Sequence, residues 1–169
     1  GRHDVNPTEM IKQLEDEINT LLEETIVLKR EGKVTEALHK AQEAVKKEQI
    51  MRKYDASQDE LLFPTLFNLG AAYEANGMPE KAIKTYSVFL KKQRGHALSG
   101  QLRITMGNVY YGLHDYSSAI KCYEMALDQL TNDEQTIRSK VKRNIGNAFF
   151  RSGKLLQAMK HYEEVVNST

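Results

Sequence analysis

The sequence predicts an all-α fold, built from about four antiparallel helix pairs stacked side by side. Three observations predict it. An apolar residue, a glycine directly after it and an aromatic residue three positions after the glycine recur three times. An alanine and a tyrosine follow each glycine at constant offsets, as Ala82 and Tyr86 follow Gly70. Helix-breaking residues separate these two patterns each time, which is the signature of a repeat array.

Twelve residues carry this repeated signature, four in each unit. The apolar residue, the glycine and the aromatic residue lie on one helix face at these spacings. Glycine inside a helix costs about 1 kcal/mol relative to alanine. We therefore expect a neighbouring helix to approach closely there, with the small alanine of the second helix opposite the glycine. The signature residues are Gly70, Tyr73, Ala82 and Tyr86, then Gly107, Tyr110, Ala119 and Tyr123, then Gly146, Phe149, Ala158 and Tyr162.

Turn residues divide each unit into two helices. Asn76-Gly77-Met78-Pro79 ends one helix and places proline in the first turn of the next. Gly112-Leu113-His114-Asp115 and Ser152-Gly153-Lys154 occupy the equivalent places. Each unit is thus predicted to be a helix, a tight turn and an antiparallel helix.

A weaker unit precedes these three. Gly32 stands at the turn position, but Thr25 and Leu28 replace the signature glycine and aromatic residue. We expect residues 6–54 to form a degenerate first helix pair, residues 55–62 a connection, and residues 63–169 three full repeats that are part of a longer array. Residues 1–5 are expected to be a vector remnant and a disordered lead.

The composition excludes several classes of protein. The chain has 24 basic and 23 acidic side chains, which argues against bulk nucleic-acid binding. It lacks an apolar run of roughly 20 residues, so membrane insertion is not expected. The single cysteine, Cys122, allows no internal disulfide and indicates a reducing compartment. The charge is nevertheless uneven, with a net value of −4 from Gly1 to Glu60 and of +5 over the rest of the chain.

The sequence contains no signature of an enzyme. Phosphate-binding glycine loops and paired metal-binding histidines are missing, so no cofactor and no metal site are predicted. A thiol nucleophile would require Cys122 beside His161, yet the spacing places them on second helices of different units. An inert, half-buried thiol is the simpler interpretation.

In residue types and spacing, the signature resembles the tetratricopeptide repeat family. The resemblance implies a wall lined by first helices, with inward side chains three residues before the signature glycine and one, four and five after it. On the last two units these positions carry basic, amide and aromatic groups, a mixture that suits an extended acidic or amphipathic peptide. The candidate protein-binding residues are Asn108, Tyr111, Lys140, Arg143, Asn147, Phe150 and Arg151.

Three alternatives stay open at this point. Tyr111 and Phe150 could instead pack in the core. An apolar stripe on the first helix, from Ile11 to Leu28, would most simply pack on the second helix, but it could also engage a partner coiled coil. The last unit lacks a capping helix, so the fragment could self-associate through that end.

A narrower resemblance covers residues 6–169. The segment from Tyr116 to Gln129, together with Leu66-Phe67-Asn68-Leu69 and residues 106–110, is similar to the intraflagellar transport protein 88 family. That resemblance implies a non-catalytic scaffold whose partners are other subunits of intraflagellar transport complex B, located in the cytoplasm, the cilium or flagellum and the basal body. The alternative is a stand-alone adaptor that binds short acidic or amphipathic peptides.

Overall fold

The computed structural model describes residues 6–167, and within them the regular secondary structure consists of eight α-helices. Contacts divide the chain into two compact units, one ending at Lys92 and the other beginning at Gln93. The expectation for residues 1–5 lies outside the described residues. The helices of the first unit are α1 Pro7–Arg30, α2 Val34–Tyr54, α3 Leu62–Ala75 and α4 Pro79–Lys92, and those of the second are α5 Ser99–Gly112, α6 Tyr116–Gln129, α7 Gln135–Arg151 and α8 Leu155–Asn167.

The apolar stripe of α1 faces the protein's own second helix. Leu14, Ile18 and Leu21 are buried and form one core cluster with Ala44 and Met51 of α2. The simpler interpretation of the stripe is therefore confirmed. The start of α1 is fixed by Asn6, whose Oδ1 accepts a hydrogen bond of 2.9 Å from the Thr8 amide.

The connection between α2 and α3 contains residues 55–61, and α3 begins one residue before Phe63. Arg52 spans this connection, since its guanidinium donates to the Gln58 carbonyl at 3.2 Å and contacts the Asp59 carboxylate at 2.5 Å. In α4, Pro79 is the first helical residue, as predicted. The α2–α3 and α3–α4 contacts complete the first unit.

Each signature glycine lies against the ring of a tyrosine, which corrects the prediction that an alanine lies opposite it. A Cβ atom added at Gly70 would overlap Cε1 of the Tyr86 ring. The same atom would come 2.5 Å from Tyr123 at Gly107 and 2.7 Å from Tyr162 at Gly146. A ring is flat, so it can lie directly on a bare helix backbone where a β-carbon would collide with it.

The three signature alanines, Ala82, Ala119 and Ala158, are buried with at most 1% exposure. They belong to the core of each helix pair but are not the groups that require glycine. In the first pair, Thr25 replaces the glycine and is fully buried, with its hydroxyl donating to the Leu21 carbonyl. The position equivalent to the signature tyrosine is Ala41, which has no ring that would demand a glycine.

The second unit has a core formed by α5, α6 and α7. Ala119, Tyr123, Leu130, Val141 and Ile145 are its buried members. Arg138 closes the α6–α7 connection by donating to the Leu127 and Leu130 carbonyls at 2.8 and 3.1 Å. These carbonyls lie at the C-terminal end of α6, where backbone acceptors lack partners within the helix.

The turn between α5 and α6 falls within the predicted segment Gly112-Leu113-His114-Asp115, but its left-handed residue is not a glycine. Gly112 is the last residue of α5, and the left-handed residue is His114, with φ = 62°. Gly32, Gly77 and Gly153 hold positive φ at the turns of the other pairs. In the α5–α6 turn, His114 occupies the position that a glycine holds in the other pairs, and its side chain contacts the Tyr116 hydroxyl at 2.9 Å.

Candidate protein-binding site

The tyrosines that cover the signature glycines also hold polar side chains on the first helix of each pair. The Tyr123 hydroxyl donates to Asn108 Oδ1 at 2.6 Å, and the Tyr162 hydroxyl donates to Asn147 Oδ1 at 2.7 Å. Both asparagines directly follow a signature glycine. The same interaction thus recurs on α5 and α7.

These hydrogen bonds determine which group each asparagine can offer to a ligand. The oxygen of each amide already accepts from a tyrosine, so the Nδ2 group remains as the donor. The tyrosines stay protonated and able to donate, because burial raises the pKa of Tyr123 to about 12 and also raises the pKa of Tyr162. The two amides are therefore oriented before any ligand arrives.

A pocket of about 190 Å³ lies between α5, α6 and α7. It is lined by Asn108, Tyr111, Tyr123, Asn144 and Asn147. We call this surface the α5/α7 face. It brings together three of the seven predicted binding residues, Asn108, Tyr111 and Asn147.

Asn144 is a pocket residue that was not among the predicted binding residues. Its side chain is half-buried, and among residues 6–167 we find no hydrogen bond to its amide group. It stands two residues before Gly146 and three before Asn147, so both asparagines share one face of α7. That spacing is the signal by which the sequence could have revealed it.

The basic residues of α7 lie on the same helix face. Lys140, Arg143 and Arg151 are exposed, and they precede or follow Asn147 by seven or four residues. At those spacings side chains lie on one side of a helix. Unlike Arg138, which binds carbonyls of α6, the two exposed guanidinium groups are directed to solvent and are open to an acidic ligand.

The structure separates the two aromatic candidates. Phe150 is 57% exposed, so it is not a core residue. Tyr111 is half-buried, with its ring edge-on to Tyr116 at a centroid distance of 5.2 Å. Tyr111 is thus compatible both with a role in core packing and with a role in ligand binding, since it packs on the core and also lines the pocket.

The first unit offers different chemistry at the equivalent positions. Ala71 stands where the asparagine would be, and the Tyr86 hydroxyl donates instead to the Glu74 carboxylate at 2.5 Å. Burial, followed by this hydrogen bond, raises the pKa of Tyr86. The pair of tyrosine-held asparagines is therefore confined to the second unit among the described residues.

Cys122 is buried, and burial raises the pKa of its thiol, which disfavours the reactive thiolate. Among residues 6–167 we find no group of three histidine, cysteine, aspartate or glutamate side chains arranged to hold a metal ion. Over the same residues, the structure contains no helix that combines the length and the hydropathy needed to span a bilayer.

Comparison with known proteins identifies the repeat class. Residues 65–95, which contain most of α3 and all of α4, match the sequence profile of the tetratricopeptide repeat. A Podosopora anserina putative kinesin light chain with TPR-like repeats superposes with a TM-score of 0.71 at 19% identity, covering 89% of this chain and 74% of that one. BtubC from P. vanneervenii gives a TM-score of 0.73 at 16% identity, covering 89% and 62%. The chain has the all-α tetratricopeptide repeat fold.

Within the class of tetratricopeptide repeat proteins, the chain is similar in sequence to one particular protein. The chain is 36% identical over 169 residues to the intraflagellar transport protein 88 homolog of Homo sapiens, an alignment that covers 96% of this chain. It spans 20% of the length of that relative. The resemblance to intraflagellar transport protein 88 that the sequence predicts is therefore confirmed.

Proposed function

We propose that this chain is a non-catalytic scaffold segment that holds other subunits of an assembly like intraflagellar transport complex B, in the cilium or flagellum and at the basal body. The likeness to the human intraflagellar transport protein 88 homolog supports this proposal. Because the chain corresponds to a fifth of that relative's length, the proposal concerns the contacts of this segment alone.

The α5/α7 face is the part of the segment proposed to hold a partner. The observation that carries this proposal is the pair of amides, Asn108 and Asn147, held by Tyr123 and Tyr162. Oriented amide donors match the carbonyl oxygens of a peptide backbone, which every extended segment offers at regular intervals. A site whose donors are already in place loses less side-chain entropy on binding.

The positive charge of α7 favours extended partner segments that carry acidic side chains. Arg143 and Arg151 suit carboxylate side chains, since a guanidinium can bind a carboxylate through two parallel hydrogen bonds. Lys140 adds a third positive charge on the same helix face. Phe150 supplies exposed aromatic area of the kind that is enriched at interfaces. The proposed ligand is therefore an extended segment that carries acidic and apolar side chains.

A binding experiment with a charge-matched control tests the proposal. The 169-residue chain is immobilised, and purified complex B subunits are passed over it singly and in combination. The Arg143→Glu/Arg151→Glu variant should lower the affinity for the retained subunit at least about tenfold, because charged hydrogen bonds contribute about 1.5–3 kcal/mol each. The control, Lys121→Glu/Lys160→Glu, makes the same change in charge on exposed positions of α6 and α8.

The hydrogen-bonded amides can be tested without changing any charge. Tyr123→Phe/Tyr162→Phe removes both hydroxyls and lets the amides rotate, so affinity should fall while the helical content stays unchanged. Tyr86→Phe removes the hydroxyl that binds Glu74 and should leave affinity as it is. Retention of no subunit at all, or equal losses in the α7 variant and its control, would count against the proposal.

A further inference from the structure

A second surface lies in the first unit, along the groove between α1 and α2. Two cavities, of about 320 and 490 Å³, meet at Thr20. We call them together the α1/α2 groove. From Asp16 to Glu31 it follows α1 for about 22 Å, at 1.5 Å per residue.

The floor of the groove is apolar. Leu21 lies in one cavity, and Val27 and Leu28 lie in the other. Val27 is 46% exposed although it is a large aliphatic residue, and Leu28 is half-buried. These side chains have apolar area that a partner could remove from water.

The walls of the groove are strongly acidic. Six carboxylates and two lysines line the two cavities, which gives a net charge of −4. The lysines are already engaged, since Lys40 lies 3.1 Å from Glu24 and Lys47 lies 2.9 Å from Glu17. Among the described residues, Asp16, Glu23 and Glu36 have no ion-pair partner within 4.0 Å.

The surface pattern is that of a helix-packing face. The exposed residues of the groove on α1 and its C-cap, Asp16, Thr20, Glu23, Val27 and Glu31, follow each other at spacings of four, three, four and four. Such rows form the ridges and grooves into which a third helix packs. An extended strand would find no unpaired backbone here, because the walls are helices whose amides are already bonded.

We propose that the α1/α2 groove binds an amphipathic helix of a partner protein, with an apolar stripe over Val27 and Leu28 and lysine or arginine on both flanks. Charge complementarity selects this occupant. A neutral or acidic helix would bring no counter-charge to Asp16, Glu23 and Glu36, whereas a basic one pairs with all three. The groove shares no residue with the α5/α7 face, and this proposal does not depend on the function proposed for that face.

A synthetic peptide provides the test. The probe is a fluorescein-labelled helical peptide, long enough to span the groove, with leucines at spacings of three and four and lysines on the flanks. A matched peptide with glutamates in place of the lysines is the control ligand. Fluorescence anisotropy against the 169-residue chain should show binding of the lysine peptide only, weakening as salt is raised.

Variants localise the binding. The Glu23→Lys/Glu36→Lys variant should lower the affinity for the lysine peptide at least about tenfold. Glu60→Lys/Glu80→Lys makes the same change in charge at exposed positions outside the groove and should leave the affinity within about twofold. Val27→Ser should also weaken binding, although it alters no charge.

Several outcomes would overturn the proposal. If both double variants lose the same affinity for the lysine peptide, the net charge of the chain alone attracts the peptide. If the glutamate peptide binds as tightly as the lysine peptide, the contact is apolar and unspecific. A concentration-dependent dimer that only Glu23→Lys/Glu36→Lys dissociates, measured by light scattering, would place a second copy in the groove instead. The Arg143→Glu/Arg151→Glu variant should bind the lysine peptide normally, so this test and that of the α5/α7 face can fail separately.

Discussion

Two glycines of α5 should respond oppositely to the same substitution. Gly107 lies against a buried ring, and an added Cβ would come 2.5 Å from Tyr123 Cε1. Gly112 lies five residues later on the same helix, and apart from its chain neighbours and the backbone of α5 nothing comes within 4 Å of an added Cβ. Gly107→Ala and Gly112→Ala therefore separate close packing from helix propensity.

The magnitudes follow from the contacts. Alanine gains about 1 kcal/mol over glycine in a helix interior, and less at a helix end such as Gly112. At Gly107, overpacking costs about 1–3 kcal/mol, because the ring must move by about 1 Å to restore an ordinary contact. That movement also disturbs the Tyr123–Asn108 hydrogen bond, worth about 0.5–1.5 kcal/mol. We expect a net loss of about 1–3 kcal/mol for Gly107→Ala and a gain of up to about 0.5 kcal/mol for Gly112→Ala.

Thermal unfolding followed by circular dichroism measures both variants. At about 2–4 °C per kcal/mol for a chain of this size, Gly107→Ala should lower the Tm by several degrees, and Gly112→Ala should leave it unchanged or slightly raised. Gly70→Ala should cost more than Gly146→Ala, since its contact is shorter and Tyr86 is fully buried while Tyr162 is half-buried. A Gly107→Ala variant as stable as the parent chain would refute the reasoning.

Two further predictions concern stability. Glu48 is 2% exposed, and desolvation by burial raises the pKa of its carboxyl group. The contribution of Glu48 to the free energy of unfolding is therefore complete below the unfolded pKa of 4.5 and is lost as the pH rises through the folded pKa. Glu48→Gln should therefore stabilise the protein at neutral pH, with a gain that disappears near pH 4, as measured by urea unfolding; a gain that grows on acidification would contradict this. His114→Gly should raise the Tm, because His114 holds φ = 62° and a left-handed conformation costs a residue with a β-carbon about 1 kcal/mol. His114→Ala should lower it, and a loss in the glycine variant as well would mean that the Tyr116 contact outweighs the backbone.

Much of the fold could be predicted because the repeat signature is a packing rule. The constant offset between glycine and tyrosine, as from Gly107 to Tyr123, places backbone and ring opposite each other in an antiparallel pair, so the spacing carries three-dimensional information. The interpretation of that spacing was wrong in one respect. Small residues such as Ala119 suggested close packing by size alone, whereas the group that needs glycine is the flat ring of tyrosine.

The α5–α6 turn shows that residue type can locate a turn without showing which residue takes the left-handed conformation. The turn lies within the predicted segment Gly112-Leu113-His114-Asp115, but Gly112 is the last residue of α5 and the left-handed residue is His114. Histidine enters the left-handed region more readily than most residues with a β-carbon.

The candidate site could be predicted only in part. Helix periodicity places Asn108 and Asn147 on the first helices, but the tyrosine hydroxyls that orient their amides become visible only with coordinates. The exposure of Phe150 likewise required the structure, because an aromatic residue at that position is compatible with a core or a surface role. Asn144 was missed because its place two residues before the glycine lies outside the offsets used for the wall.

Crosslinking mass spectrometry of the full-length protein in its native assembly tests the central claim most directly. If the α5/α7 face holds a partner, an amine-reactive reagent should join Lys140 of α7 to another subunit, and Arg143→Glu/Arg151→Glu should abolish that crosslink. Crosslinks to partners that come only from Lys121 and Lys160, on the second helices of their pairs, would contradict the claim.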